Sequence, residues 1–438
     1  MHCDAKPHGD HNDGGCGSCH DVVSDERHND HQDQYRQGNP PVQGDGHAQV
    51  GSEALAALEL QAERIDMAQD TADACHSPDM LQVREEHLRQ NHRQNRLANV
   101  VDTGDHAGSP AHQDHRIAGA QIAGAAGTDI HLMDGLHPRP VPFPTILGHE
   151  SVGRVVAVGS KVRNFRVGDL VSRVGAPAGL LPELSAHWGG FAEYGIARDH
   201  WQMRRDGLDI SLWNRYRVNQ IIHPSIDEKT APMLITWRET LSYTNRIGVT
   251  AGKTVLVLGS GANALSFVAH CCNLGAAVIV VGSPSREQVF RTFPICGYLS
   301  YRSETLEEEV RDLMDTLRLP LFDHIIDGVG GAETANRLLP LLKRDGLFCN
   351  YGWNGRRSYG LNPFCASRSF RIYSDGYDEE ESHAEAQAMI LQGKLFADPW
   401  YDPANPVPLT GITTAYDSLR RHEALKYLIN LGGNYEET

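Results

Sequence analysis

Two apolar runs in the second half of the chain are the clearest structural signal in the sequence. Residues 254–258 and 277–281 consist mainly of valine, leucine and isoleucine, and each run has the length of a buried strand. A glycine-containing turn follows the first run and leads into a helix-length segment of small and apolar residues. The pattern predicts a strand, a helix and a second strand, which is a βαβ unit.

The turn after the first run has the spacing of a dinucleotide-binding loop. Gly259 permits a tight turn, Gly261 lets the backbone approach a pyrophosphate, and Ala264 is small enough for close packing of helix on strand. The pyrophosphate is expected on the amides at the helix N-terminus. Because a readable strand and helix flank the glycines, the sequence predicts a nucleotide site.

The end of the second strand indicates which nucleotide binds. Sites for NAD usually carry an acidic residue there, which binds the ribose 2′-hydroxyl. This chain has Gly282 and Ser283, followed by Ser285 and Arg286, so hydroxyl and guanidinium donors are available to a 2′-phosphate. We therefore predict NADP(H) rather than NAD(H). As an alternative, Ser283 and Arg286 could only cap the next helix.

Strands and helices continue to alternate after this unit. The predicted elements are strand 297–301, helix 303–317, strand 322–327, helix 332–342 and strand 346–351. The alternation predicts a doubly wound parallel sheet, in which ligands bind beyond the carboxyl ends of the strands. Gly328 and Tyr351 follow two of these strands and are expected beside the cofactor, unless the glycines there serve only the turns.

The first 118 residues differ in composition from the rest. They contain 13 of the 23 histidines, one aromatic residue (Tyr35), and −12 of the formal net charge of −16. Such a segment buries too little apolar surface to offset its ordering entropy, so residues 1–80 are predicted to form a largely disordered head. The abrupt change near Ile117 also leaves open that part of this head is not genuine coding sequence.

The head carries possible metal-binding chemistry. The motif Cys16-Gly-Ser-Cys19-His20 has the spacing of covalent haem attachment, with His20 as an axial ligand. No export signal accompanies the motif, so loose binding of zinc, nickel or copper by histidine, cysteine and aspartate is the stronger interpretation. A metal-binding fusion is therefore one alternative function.

Charge and hydropathy exclude two classes of partner. The acidic balance argues against nucleic acid, and no apolar run of 18 residues is present to cross a membrane. No cationic start followed by an apolar core indicates a signal peptide, so we expect a cytoplasmic protein. The expected partner is a small-molecule alcohol or carbonyl compound.

Short β-type runs broken by glycines precede the nucleotide unit, as in a small barrel. They contain Gly148-His149-Glu150, Val167-Gly-Asp169 and Gly189-Gly-Phe-Ala-Glu-Tyr194. In these motifs and the nucleotide unit, residues 126–438 resemble the medium-chain dehydrogenase/reductase superfamily, of the zinc alcohol and polyol dehydrogenase type. The resemblance implies a GroES-like β-barrel catalytic domain, a Rossmann domain, an active site between them, and a homodimer or homotetramer. The family's opening strands are not recognisable before Ala126.

The resemblance also implies roles for single residues. The family's Cys-Gly-Thr-Asp-x-His box reads Ala126-Gly-Thr-Asp-Ile-His131 here. By resemblance, Thr128 relays a proton, Asp129 orients the site and His131 passes the proton to solvent. His149 matches the family's histidine ligand and Glu150 the adjacent carboxylate. Alternatively, Asp129 and His149 could form only an inherited structural hydrogen bond, and His131 could be a surface histidine.

The zinc ligand set is incomplete. The family's thiolate position is Ala126, and its third ligand position, near Ile235, also lacks a ligand. Catalytic zinc needs three protein ligands and one open position, so His149 and Glu150 are too few for tight binding. The competing hypothesis is a metal-free reductase whose hydrogen-bond donors, Thr128, His131 and His149, polarise the carbonyl.

The sequence therefore predicts an α/β protein of three parts. These are the head at 1–80, a GroES-like catalytic domain at 81–225 completed by 371–438, and a Rossmann NADP-binding domain at 226–370. The predicted function is NADP(H)-dependent hydride transfer between an alcohol and a ketone or aldehyde, with zinc uncertain. A catalytically weak NADPH-binding or sensor protein is the other alternative.

Overall fold

The structure is a computed structural model that describes residues 115–136, 141–177, 184–352 and 359–431. The predicted head at 1–80, with its Cys16–His20 motif, lies outside these residues. Within them, no helix has the length and apolar character that a membrane crossing requires.

The described residues form strands of two to ten residues and α-helices of four to fourteen residues. The strands are β1 (Arg116–Ala125), β2 (Thr145–Ile146), β3 (Glu150–Val158), β4 (Leu170–Ser172), β5 (Ser185–Ala186), β6 (Tyr194–Arg198), β7 (Ile221–Ile222), β8 (Thr254–Leu258), β9 (Ala277–Gly282), β10 (Gly297–Ser300), β11 (Phe322–Asp327), β12 (Leu342–Asn350), β13 (Phe370–Tyr373), β14 (Val407–Pro408) and β15 (Tyr427–Asn430). The α-helices are α1 (Gly127–Met133), α2 (His200–Arg205), α3 (Ile210–Trp213), α4 (Met233–Arg246), α5 (Ala262–Asn273), α6 (Glu287–Phe290), α7 (Leu306–Thr316), α8 (Ala332–Leu338), α9 (His383–Leu391) and α10 (Ile412–Arg420).

A seven-stranded sheet, antiparallel except at β14–β15, forms the GroES-like part. Its strand order is β14-β15-β1-β3-β4-β7, and β6 also pairs with β1. Strands β2 and β5 form a separate parallel pair. The last strand of the chain therefore returns to this sheet and pairs with its first strand.

The strand that the sequence did not reveal before Ala126 is present as β1. Its sequence is rich in alanine and glycine, which have low β-propensity, so local pattern reasoning missed it. Antiparallel ladders to β3, β6 and β15 hold β1 in place. Tertiary pairing thus imposes a strand on residues that do not favour one alone.

The Rossmann part is a six-stranded parallel sheet of order β10-β9-β8-β11-β12-β13. Alternate residues of β8 enter opposite cores: Val255 and Val257 pack on one face, and Leu256 and Leu258 on the other. Both faces are buried, as expected for a doubly wound fold. The predicted fold class, a GroES-like domain with a Rossmann domain, is confirmed.

Two element boundaries differ from the sequence prediction. Helix α7 begins at Leu306, three residues after Ser303, whose hydroxyl instead bonds to Glu309 Oε1 at 2.5 Å. Helix α8 ends at Leu338, because Pro340 follows in a 3₁₀ turn and cannot continue the helix. Strand β12 consequently starts at Leu342 rather than at 346.

The proposed domain boundary at 371 also falls inside an element. Strand β13 (Phe370–Tyr373) pairs in parallel with β12, so the six-stranded sheet continues to Tyr373. Helix α9 then packs against α4, and only β14 and β15 join the seven-stranded sheet. Helix α4 also contacts β3, so it links the two sheets.

Candidate active site

The short helix α1 and the loop before β3 are held together by Asp129. Its carboxylate accepts the backbone N–H of Ala126 and of Gly148, each at 3.2 Å. Gly148 has a φ of +92°, and a Cβ there would lie 2.8 Å from the backbone nitrogen of Phe191. Only glycine fits this turn, which places the next residue, His149, beside Asp129.

His149 lies between two carboxylates. Its Nδ1 is 3.6 Å from Asp129 Oδ1, and its Nε2 is 3.5 Å from Glu150 Oε1. Burial alone would lower the pKa of His149, but the two carboxylates outweigh burial and raise that pKa above 6.5. The positively charged imidazolium is therefore favoured at this position.

Glu150 is also bound by a lysine and a threonine, through the same oxygen that lies nearest His149. Lys426 Nζ and Thr236 Oγ1 both donate to Glu150 Oε1, and the threonine bond is 2.6 Å long. Burial would raise the pKa of Glu150, but Lys426 and His149 lower it. Glu150 Oε2 is buried and has no hydrogen-bond partner among the described residues; it lies against Gly124, where an added Cβ would be 2.7 Å away.

These residues do not fit a catalytic zinc ion. The family's thiolate position is the apolar Ala126, and Ile235 is fully buried in α4. His149 and Glu150 are two ligands where three are needed, and Lys426 already occupies one Glu150 oxygen. Among the residues that the structure describes, no group of three or more His, Cys, Asp and Glu side chains could hold a metal ion.

A buried arginine and its carboxylates adjoin His149, and sequence reasoning missed them. Arg173, at a left-handed φ of +59°, donates from Nη1 to the backbone oxygen of His149. Its Nη2 donates to Glu239 at 2.5 Å and to Glu379 at 2.6 Å. Arg238, which is fully buried, binds Glu379 at 2.5 Å. The four charged side chains form one network, which we call the Arg173 network.

The two carboxylates of this network have opposite pKa shifts. Burial would raise the pKa of Glu379, but Arg173 and Arg238 bind it from two sides and lower the pKa. Burial, with repulsion from Glu379, outweighs the attraction of Arg173 and His149 and raises the pKa of Glu239 to about 7. The network is thus poised to take up one proton near neutral pH.

One signal in the sequence could have found this network. Residues 233–244 of α4 are all buried, yet Arg238 and Glu239 stand in their middle. Buried charges require partners, so these two residues predict other buried charges nearby. The sequence does not show which ones, because Arg173 and Glu379 are 66 and 140 positions away from Glu239.

The remaining predicted groups of the barrel side lie on or near α1. Thr128 is half-buried on its first turn, and no hydrogen bond joins it to His149 in the described part of the chain. His131 lies on the same helix and is half-buried. Trp188 is 41% exposed and lies 5.1 Å, ring to ring, from His149.

The predicted nucleotide loop has the backbone shape that its glycines suggested. Gly259 has a φ of +120°, and an added Cβ would lie 3.0 Å from Val329. Gly261 is the N-cap of α5, with open space where a side chain would be. Ala264 is buried under the turn. The free amides at the start of α5 suit a pyrophosphate, so a dinucleotide fits here.

Position 282, the last residue of β9, has no room for a side chain. A Cβ on Gly282 would lie 2.3 Å from the Tyr298 hydroxyl, which donates to the Ser283 carbonyl at 2.7 Å. Ser283 and Ser285 have their hydroxyl oxygens 3.0 Å apart on the exposed side. Arg286 uses Nη2 to bind two carbonyls of the loop before β15, at 2.6 and 2.9 Å.

Gly328 and Tyr351 follow β11 and β12, as predicted. The turn after β11 is held by Asp327, which accepts the N–H groups of Val329 and Gly330. Tyr351 packs among aromatic rings, with Phe267 at 4.7 Å and Tyr377 at 6.0 Å between ring centroids. Tyr351 therefore belongs to an aromatic cluster at the carboxyl end of the sheet.

A cavity of about 460 Å³ connects the two parts of the fold. It lies between α6 and the segment before β15, and its lining includes Arg286, Trp400 and Lys426. Trp400 Nε1 donates to the carbonyl of Ala262 at 2.9 Å, so this cavity adjoins the start of α5. Its position links the nucleotide loop to the Glu150–Lys426 pair.

Comparisons with known proteins agree with this architecture. Residues 116–205 match the alcohol dehydrogenase GroES-like domain. The chain is 23% identical over 308 residues to L-galactonate-5-dehydrogenase of Escherichia coli (strain K12), covering 70% of this chain and 88% of that protein. It is 27% identical over 225 residues to the NADP-dependent isopropanol dehydrogenase of Clostridium beijerinckii, covering 48% of this chain and 61% of that protein.

Solved structures show the same fold. The crystal structure of benzyl alcohol dehydrogenase from Acinetobacter calcoaceticus superposes with a TM-score of 0.60 at 16% identity, covering 73% of this chain and 92% of that one. Together with the domain match and the sequence relatives, this identifies the class of protein. The chain belongs to the medium-chain dehydrogenase/reductase superfamily.

Proposed function

We propose that the chain is an NADP(H)-dependent oxidoreductase that interconverts an alcohol and a ketone or aldehyde without a resident catalytic zinc. The observation that carries this proposal is the buried His149 between two carboxylates, at a site that lacks the other metal ligands. The sequence relatives named above, an L-galactonate and an isopropanol dehydrogenase, support the reaction class.

The cofactor preference rests on the end of β9. Gly282 leaves no room for a carboxylate at its position, while Ser283, Ser285 and Arg286 would bind a 2′-phosphate. The amides at the start of α5 would hold the pyrophosphate. Bound NADP(H) supplies the hydride for the carbonyl carbon, or accepts it from the alcohol carbon in the reverse direction.

The residues of the barrel side would handle the substrate oxygen. In reduction, this oxygen gains negative charge as the carbon gains hydride, and it then needs one proton. The His149 imidazolium supplies a positive charge for the developing alkoxide, with Asp129 and Glu150 maintaining its protonation. Thr128 would deliver the proton and His131 would exchange it with solvent.

The test measures zinc content and turnover on the full-length protein and its His149→Ala variant. Any zinc on the histidine-rich head is common to both proteins, so their difference reports on His149 alone. We expect equal zinc contents, and NADPH-dependent reduction by the wild-type protein that survives dialysis against a chelator.

Two results would contradict the proposal in different ways. About one zinc per chain that is lost in His149→Ala would mean that other ligands complete a metal site. Tight NADPH binding with no turnover on a panel of aldehydes and ketones would favour the NADPH-binding sensor. This second candidate is supported by the apolar residues at two of the family's ligand positions, Ala126 and Ile235.

A further inference from the structure

Asp327, the last residue of β11, is a fully buried carboxylate that binds groups from two separate segments. Its Oδ1 accepts the backbone N–H groups of Val329 and Gly330, at 2.8 and 3.1 Å. Its Oδ2 accepts the hydroxyl of Tyr359, 32 positions further along the chain, at 2.5 Å. A buried carboxylate is costly unless hydrogen bonds satisfy it, so these three bonds stabilise one arrangement of the turn after β11.

The side chain of Tyr359 is suited to this contact. Burial and the neighbouring Asp327 carboxylate raise the pKa of Tyr359, so its hydroxyl keeps the proton and donates it. Its ring packs against the core of the Rossmann part, with 6.0 Å between its centroid and that of Phe348 in β12. The packed ring therefore holds the hydroxyl in position beside Asp327.

The turn after β11 packs closely against the turns after β8 and β12. A Cβ on Gly352 would clash with the backbone of Gly328 and Val329, and a Cβ on Gly259 would lie 3.0 Å from Val329. Gly352 also donates its backbone N–H to the carbonyl of Asp327, at 2.7 Å. A displacement of Asp327 would therefore move the backbone that lies beside the nucleotide loop.

The order of the strands determines which half of the cofactor would meet this turn. Strands β9, β8, β11 and β12 follow one another across the sheet. The proposed sites for the 2′-phosphate and the pyrophosphate lie at the ends of β9 and β8, so the nicotinamide half would extend towards β11 and β12. Val329 is 50% exposed at the end of β11 and offers apolar surface for that half to cover.

We infer that Asp327 and Tyr359 are positioning residues for the nicotinamide half of NADP(H). Tyr359 holds the Asp327 carboxylate, the carboxylate holds the turn at Val329 and Gly330, and the turn packs against the cofactor. The pair acts through this turn and does not touch the reacting atoms. The inference rests on the proposed NADP(H) function and adds to it a pair of side chains that no motif indicated.

The test compares NADPH with adenosine 2′,5′-bisphosphate, which has the 2′-phosphate end of the cofactor but no nicotinamide. Both are titrated by calorimetry into the full-length protein and its Tyr359→Phe variant, and kcat is measured with NADPH. We expect Tyr359→Phe to weaken NADPH about fivefold and to lower kcat about tenfold, because a small misplacement of a reacting group is costly. The affinity for the bisphosphate should not change.

A matched control and a second variant separate positioning from structural support. Tyr216→Phe removes the hydroxyl of another half-buried tyrosine, which accepts a bond from Arg215, and should match the wild type in all three measurements. Val329→Ala leaves the buried pair intact and removes apolar surface from the turn. It should weaken NADPH several-fold, with the bisphosphate affinity unchanged and the Tm close to that of the wild type, since Val329 is half-exposed.

Three results would overturn the inference. Wild-type NADPH affinity and kcat in both Tyr359→Phe and Val329→Ala would mean that the turn does not position the cofactor. Equal weakening of NADPH and the bisphosphate in Tyr359→Phe would mean that the pair supports the whole nucleotide site rather than its nicotinamide half. A wild-type protein that binds neither compound would contradict the proposed NADP(H) function itself, and this inference with it.

Discussion

The nucleotide loop and the end of β9, which we call the cofactor end, keep the features expected of the family. The region around His149 in the GroES-like part, which we call the barrel end, keeps only some of them. At the cofactor end, the turn at Gly259, the N-cap at Gly261 and the glycine at 282 have the expected backbone shape. At the barrel end, His149 and Asp129 keep their positions, but the metal-ligand positions hold apolar residues. A site made of backbone tolerates little change, whereas a site made of side chains can be rebuilt within one fold.

The barrel end contains buried lysine and arginine side chains and lacks a complete set of metal ligands. Lys426 binds Glu150, and Arg173 of the Arg173 network binds the backbone oxygen of His149. Buried ionic groups of this kind are costly unless every charge is paired. The Arg173 network pairs two arginines with two glutamates, so its charges balance when Glu239 is ionised.

The largest expected effect comes from unbalancing that network. Glu379→Gln leaves Arg238, which is fully buried, and Arg173 without their shared carboxylate, so we expect a loss of about 3–5 kcal/mol in the free energy of unfolding. Because folding lowers the pKa of Glu379 from 4.5 to about 2, its contribution is fully present above pH 4.5 and is lost as the pH falls from there through 2. Urea unfolding at pH 7 measures the loss in the variant, and a series down to about pH 3 measures the pH dependence.

A neighbouring glutamate provides the control for this prediction. Glu381 is 40% exposed and pairs with Arg246 on the surface, so Glu381→Gln should cost less than about 1 kcal/mol. Equal losses in the two variants would show that the Arg173 network adds no more stability than a surface ion pair.

The second effect concerns catalysis at the barrel end alone. Removing one group that stabilises a developing oxyanion typically lowers kcat by about 10²–10³, and we expect a loss of this size for His149→Ala. The Kd of NADPH, measured by fluorescence titration, should not change, since the residues that bind it lie on the Rossmann side. His223→Ala, an exposed histidine, is the control and should have wild-type kcat. A parallel loss of NADPH affinity would mean that the two ends are not separable.

The sequence predicted the structure of the cofactor end and some of the residues at the barrel end. The βαβ unit was predictable because strand, turn and helix are adjacent in the chain and depend on local residue types, with β8 and β9 close to their predicted bounds. His149, Glu150 and Asp129 were found through motifs, and the structure brings them together. The same motif reasoning identified the empty ligand positions.

The missed residues share a physical cause. Strand β1 is made by pairing rather than propensity, and the partners of Arg173 come from α4 and from the segment after β13. Lys426, to which the sequence assigned no role, meets Glu150 only because β15 pairs with β1. Such long-range contacts follow from topology, which a single sequence does not reveal.

The third effect tests the cofactor end. Ser283→Asp places a carboxylate where the 2′-phosphate of NADPH is expected, so like-charge repulsion should lower kcat/KM for NADPH at least tenfold relative to NADH. Steady-state rates with both cofactors on one carbonyl substrate measure this ratio. Ser225→Asp, at an exposed position outside the nucleotide site, serves as the control. An unchanged ratio would place the phosphate elsewhere and remove the argument for NADP(H).

The smallest expected effect is a change in the pH dependence of stability at Glu239. Burial, with repulsion from Glu379, raises the pKa of Glu239 to about 7, so the folded protein holds this proton more tightly than the unfolded chain. The stabilisation is therefore complete below the ordinary pKa of 4.5 and is lost as the pH rises through 7. Glu239→Gln cannot ionise, so its stability relative to the wild type should improve between pH 5 and pH 8.

The size and sign of this change in stability show whether Glu239 is protonated or ionised near neutral pH. Each unit of pKa shift corresponds to about 1.4 kcal/mol, so the improvement should be on the order of 1 kcal/mol and visible in Tm against pH. Glu228→Gln, at a surface pair with Arg154, should show no such trend. If Glu239→Gln instead loses stability relative to the wild type as the pH rises, Glu239 is ionised and bound to Arg173 throughout. The Arg173 network would then carry a fixed pair of charges beside His149, rather than a carboxyl that gains and loses a proton near neutral pH.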